Sequence, residues 1–139
     1  MSSAPAPRRP EPARSEPVRR DPVGAALRTF FRLSAAWGLD TRQEMALLGQ
    51  PGRSTFFRWK RGDARVVPGD VLERISYLLG IYKALHILFP DPAQADAWVR
   101  RPNAAPAFGG ASALERMLAG QVSDLYVVRQ YLDAQRGWG

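Results

Sequence analysis

Residues 53–61, RSTFFRWKR, place three aromatic rings among four cations. At ~100° per residue on a helix, Phe56 and Trp59 share one side, with Gly52 and Thr55 beside them. Ser54, Phe57, Arg58 and Arg61 share the other, flanked by Arg53 and Lys60. The first side is built for a core. The second carries a hydroxyl, an aromatic edge and guanidinium groups, the set that reads base edges in a DNA major groove: arginine bonds guanine in a bidentate fashion, and an apolar ring meets a thymine methyl. Arg53, Ser54, Phe57 and Arg58 lie toward the start of such a helix and are expected to reach bases. Lys60, Arg61 and Arg65 are expected to reach phosphates.

Other chemistry finds little footing. His86 is the sole histidine and sits in an apolar run between Leu85 and Ile87. No paired carboxylates recur near it, and no phosphate-cradling glycine loop or metal-ligand spacing occurs. With no cysteine, disulfides and thiolate metal sites are excluded. The expectation is a protein that is not an enzyme and uses no metal or cofactor.

The net charge of +7 is unevenly spread. Residues 1–89 hold 15 Lys+Arg against 8 Asp+Glu, and residues 90–139 hold 5 of each. The excess positive charge therefore predicts a polyanion partner for the first two thirds only, and the neutral remainder needs another task. The start of the chain lacks the apolar segment of a secretory leader. The most apolar span, 71–89, is broken by Glu73, Arg74, Lys83 and His86, so no membrane helix of ~20 apolar residues is expected. A cytoplasmic protein fits.

The elements that must position these residues read as all α. Residues 1–22 are rich in Pro and Arg and predict a disordered tail. A first helix runs from Val23, with Leu27, Phe30, Phe31, Leu33 and Trp37 on one face, to a stop at Gly38. Thr41 and Glu44 suggest a capping box for a short second helix stopped by Gly49. A third helix is expected from Pro51 to about Arg61, completing a helix-turn-helix. Arg42 and Gln43 then sit at an outward-pointing helix N-terminus, where a DNA phosphate would lie. The run from Val71 to Phe89 follows, with Gly80 either dividing or bending it. Asp91-Pro92 opens another helix. A loop spans 100–111, Ser112 and Glu115 cap a short helix, and a last helix begins near Ser123 and ends at Gly137. Trp98 is expected to fill a joint between helices, and Asn103 to satisfy loop backbone groups. The division expected is tail 1–22, DNA-binding domain 23–80 and C-terminal domain 81–139.

Two stretches carry a family resemblance. LLGQPGRSTFFRWKRGD resembles the helix-turn-helix of Xre-type regulators. The remainder resembles the toxin-binding domain of Xre/MbcA/ParS antitoxins, through Leu85, Leu88-Phe89, Trp98, Pro102-Asn103, Phe108-Gly109, the helix at 112–119 and Tyr131-Leu132. In place of the proline that often follows the serine opening the penultimate helix stands Ala113. The resemblance implies a cognate toxin, usually a RES-domain protein that consumes NAD⁺ or a related ADP-ribosyltransferase-like enzyme. It implies that the last helix and C-terminus cover the toxin's cleft, and that the helix-turn-helix represses the shared promoter. Arg129, Tyr131, Arg136, Trp138 and Gly139 are the toxin contacts it suggests. A large aromatic at position 138 also gains by entering a partner's pocket. Homodimers are expected, because a palindromic operator mirrors protein symmetry. The alternative is a stand-alone helix-turn-helix regulator whose C-terminal part only dimerises.

Overall fold

The computed structural model describes residues 21–137. The expected tail therefore falls almost wholly outside the described residues. The described chain forms α1 (Pro22–Trp37), α2 (Thr41–Leu47), α3 (Arg53–Lys60), α4 (Gly69–Leu88), α5 (Pro92–Ala97), a 3₁₀ turn (Trp98–Arg100), α6 (Ala113–Leu118) and α7 (Val122–Gln135). No strand occurs among the described residues. The loop after the 3₁₀ turn is closed by an isolated bridge between Pro102 and Ser112. The fold is all α, as the apolar spacing predicts.

Glycines end the first three helices by one device. Gly38, Gly49 and Gly62 take left-handed φ values of 64°, 88° and 91°, where a side chain is disfavoured. The amide of each bonds the carbonyl three residues back, and the next amide bonds the carbonyl five back: Leu39 to Ser34 at 3.0 Å, Gln50 to Met45 at 2.8 Å, Asp63 to Arg58 at 3.0 Å. These paired bonds satisfy carbonyls that a helix end otherwise strands.

Starts are less faithful to the sequence reading. The cap of α2 is Asp40, not Thr41. Its carboxylate accepts from the Gln43 amide at 2.8 Å, while the Asp40 amide donates to Gln43 Oε1 at 3.0 Å. Glu44, expected to close the box, is buried and faces inward instead. Helix α3 begins at Arg53 rather than Pro51, because closing α2 leaves Gln50 left-handed at φ 62° and Gly52 extended as the N-cap. Ser112 does cap α6, its hydroxyl accepting from the Glu115 amide at 3.1 Å.

Gly80 does not divide α4, which runs unbroken for 20 residues. The Arg129 guanidinium from α7 lies where a Cβ at position 80 would be, so the glycine serves close approach rather than a break. The expected domain boundary at residue 80 falls inside this helix.

One core gathers side chains from both halves. Leu27, Phe30, Leu47, Phe56, Ile75, Leu78, Leu85, Val99, Leu114 and Leu125 all belong to it. Two arginines tie the halves by hydrogen bonds. Arg100 donates from Nε to Trp37 O at 3.0 Å and from Nη2 to Gly38 O at 2.7 Å, covering the carbonyls that end α1. Arg74 donates to Gly120 O at 2.9 Å, and its side chain also lies against Gly49 in the α2–α3 turn.

Candidate functional site

Helix α3 is anchored as its wheel predicts. Phe56 is 0% and Trp59 3% exposed, whereas Arg53, Ser54, Arg58 and Arg61 are exposed. Phe57 is half-buried. Its ring sits edge-on to Phe56 at 5.1 Å and under the Arg53 guanidinium at 5.1 Å. The outer face of α3 therefore presents a hydroxyl and three unburied guanidinium groups, with the Phe57 ring beneath Arg53.

Lys60 has a second occupation. Its Nζ donates to Glu44 Oε1 at 3.0 Å, and the Ser34 hydroxyl donates to Glu44 Oε2 at 2.6 Å. The Lys60 side chain is 42% exposed and that of Glu44 5%. A carboxylate at that depth needs partners, so Lys60 joins α3 to α2. Its ammonium also lies 5.6 Å from the Phe31 ring centroid. Gln43 is likewise shared, since its side-chain oxygen caps α2. Arg42 is exposed beside it, and both line a depression with Leu118 of α6.

Sequence reasoning missed Arg28 and Arg32. Both are exposed on α1 and border an apolar groove with Lys60 and Gly62, next to the end of α3. Their i, i+4 spacing on the polar side of α1 was the available signal.

The C-terminal candidates are arranged differently. Tyr131 is half-buried, stacked on Trp98 at 6.1 Å and 19°, and edge-on to Phe108 at 5.1 Å. Trp98 thus fills a joint between helices, as expected, and Asn103 Oδ1 accepts from the Ala105 amide at 2.9 Å. Beside these rings a depression of about 250 Å³ is lined by Leu88, Phe89, Trp98, Tyr131, Leu132 and Gln135. Arg129 bonds Asp133 through Nε at 3.1 Å. Arg136 approaches the same carboxylate at 3.9 Å, with its side chain 13% exposed. Both arginines are therefore engaged within their own chain. Trp138 and Gly139 lie outside the described residues.

His86 Nε2 pairs with Asp96 Oδ1 at 2.8 Å and its ring lies 4.2 Å from Tyr82. This joins α4 to α5. Among the described residues no cluster of three His, Asp or Glu side chains is placed to hold a metal ion, and no helix is long and apolar enough to cross a membrane.

The architecture is thus a helix-turn-helix, its cations outward on α3, fused through one long helix to a second group of helices. Residues 16–80 match the antitoxin Xre-like helix-turn-helix domain, and residues 84–137 match the antitoxin Xre/MbcA/ParS C-terminal toxin-binding domain. The chain is 54% identical over 115 residues to the uncharacterized protein y4oB of Sinorhizobium fredii (strain NBRC 101917 / NGR234), an alignment covering 83% of this chain and 87% of that protein. The chain belongs to the Xre/MbcA/ParS family of helix-turn-helix antitoxins of toxin–antitoxin systems.

Proposed function

We propose that this antitoxin neutralises a cognate RES-type, NAD⁺-consuming toxin through its C-terminal helices and represses its own operon through α3. The observation that carries the reading is the separation of two surfaces. The exposed cations lie on the helix-turn-helix, while residues 84–137, which match a toxin-binding domain, are charge-balanced from residue 90 onward.

On the DNA side, Arg53, Ser54 and Arg58 read bases, with Phe57 packed beneath Arg53 as the apolar contact. Arg42, Gln43, Lys60 and Arg61 meet phosphates, and Lys60 does so with only the part of its ammonium that Glu44 leaves open. On the toxin side, Tyr131, Arg129 and Arg136 line the approach, with Trp138 and Gly139 entering the toxin's cleft. The antitoxin acts as a homodimer in the cytoplasm and by occlusion, not catalysis.

The test is NAD⁺ consumption by the purified toxin. Equimolar antitoxin abolishes it under this reading, and Trp138→Ala weakens the inhibition while leaving operator binding intact. A toxin that does not consume NAD⁺, or inhibition indifferent to Trp138, sinks the corresponding half of the proposal.

A further inference from the structure

Along one side of α1, Gly24, Leu27, Phe31 and Ala35 recur at three-to-four spacing, and the end of α3 and the turn after it run beside them. Between the two lies a groove of about 450 Å³. From Gly24 to Ala35 it follows α1 for ~16 Å, at ~1.5 Å rise per residue. Its floor is apolar. Leu27 and Trp59 are buried, and the half-buried Phe31 ring is set edge-on to Phe30 at 5.1 Å and to Phe56 at 5.8 Å. Its rim is cationic. Arg28 and Arg32 are exposed, and neither makes an ion pair or a side-chain hydrogen bond among the described residues. Lys60 stands on the α3 side, held by Glu44 but 42% exposed. No residue lining the groove is acidic. Asp21 stands near the Gly24 end, where its carboxylate accepts from the Gly24 amide at 2.9 Å.

We propose that this groove binds a small amphipathic anion, a carboxylate carried on an apolar chain or flat ring. An apolar floor beside uncommitted guanidinium groups suits a ligand with both parts: covered apolar surface supplies affinity, and a charge at its edge fixes orientation. Arginine is the cation suited to a carboxylate, which it can grip with two parallel N–H donors. Size favours a small ligand over a protein. The volume falls within the roughly 300–1,000 Å³ of small-molecule sites. A stable protein partner covers about 800 Å² on each side, and outside the groove the other exposed residues of α1 are Pro22, Ala25 and Ala36, which offer little to grip. DNA would account for the arginines but not for the apolar floor between them and α3. An occupant whose carboxylate meets Lys60 ties α1 to the residue that already joins α3 to α2. The site thus lies apart from the C-terminal helices and adds a ligand to the antitoxin reading.

The experiment is calorimetric titration of the purified full chain with decanoate, kept below the concentration at which decanoate self-associates. Saturable binding of one decanoate per chain is the expected result. Octanoate should bind about fivefold more weakly, because two fewer methylenes are covered in a groove open to water on one side. Decyltrimethylammonium, the same chain with the opposite charge, should not bind. Arg28→Gln with Arg32→Gln should weaken decanoate binding by about three- to tenfold. Ala35→Glu, which sets a carboxylate in the groove, should abolish it. Both variants change exposed residues only and should melt as the wild type does. Absence of saturable binding overturns the proposal, as does decyltrimethylammonium binding as tightly as decanoate, or decanoate binding indifferent to both variants. Loss of operator affinity in the double arginine variant, with no decanoate bound by the wild type, assigns the arginines to DNA and also overturns it. Because no toxin enters the titration, failure here leaves the antitoxin reading untouched.

Discussion

Lys60, on the last turn of α3, holds the buried carboxylate of Glu44 on α2 at 3.0 Å. The residue that looks most like a surface phosphate contact is therefore also the strut between the two helices of the helix-turn-helix. Replacing it removes half of the partners of a buried charge, and the expected cost is about 1–3 kcal/mol. Lys60→Ala should lower stability by that amount in urea unfolding. Arg61→Ala, on an exposed residue one position along, should stay within about 0.5 kcal/mol of wild type. Equal stabilities for the two variants would remove the strut.

Operator binding separates the same cations in another way. Arg58 is exposed on the outer face of α3. If it grips a guanine, Arg58→Ala weakens operator affinity by ~1–3 kcal/mol and relaxes preference at one base pair. Arg61→Ala should instead weaken all sequences alike and reduce the salt slope by about one. A salt titration on matched and mismatched duplexes reads both. Loss of affinity without loss of preference in Arg58→Ala would move Arg58 to the phosphates.

Much of this layout was legible in the chain. The spacing of Phe56 and Trp59 set the inward side of α3, and Gly38, Gly49 and Gly62 marked three helix ends through a backbone conformation that favours glycine. What stayed hidden was competition. Asp40 and Thr41 are adjacent capping candidates, and only tertiary packing decides that Glu44 turns inward to Ser34 and Lys60, leaving the cap to Asp40 and Gln43. Gly80 read as a possible break because its reason lies 49 residues away in Arg129. The partners of Arg74 and Arg100 are backbone carbonyls, Gly120 in one case and Trp37 and Gly38 in the other, and no pattern of side chains announces a carbonyl.

The Gly80–Arg129 contact yields a prediction whose size depends on background. Alone, Gly80→Ala displaces only the far end of the flexible Arg129 side chain, so the helix gain and the lost contact should offset to within about 0.5 kcal/mol. With Arg129→Ala the space is free, and the same change should stabilise the helix interior by roughly 0.5–1 kcal/mol. Thermal melts of the four proteins of the cycle measure this. Additive effects would mean the two residues are not coupled.

The aromatic joint limits how the toxin contacts can be tested. Leu132 is buried, and Tyr131 packs between Trp98 and Phe108. Removing 131–139 would therefore strip the core along with any toxin contact. Tyr131→Ala should cost about 2–4 kcal/mol of stability, visible by circular dichroism. Tyr131→Phe keeps the ring stack and should melt within about 1 kcal/mol of wild type. If Tyr131→Phe nonetheless loses toxin binding, the hydroxyl is the contact. If it keeps full binding, the role of Tyr131 is to hold Trp98 and Phe108.

The central claim is that this chain protects a cell from a toxin encoded beside it. The reading frame adjacent to its gene should be expressed alone and together with this chain, while growth is followed. Arrest by the neighbour alone, with growth restored on co-expression and lost again with Trp138→Ala, is the predicted result. Normal growth in both cases, with the neighbour expressed and folded, would contradict it and leave a stand-alone helix-turn-helix regulator.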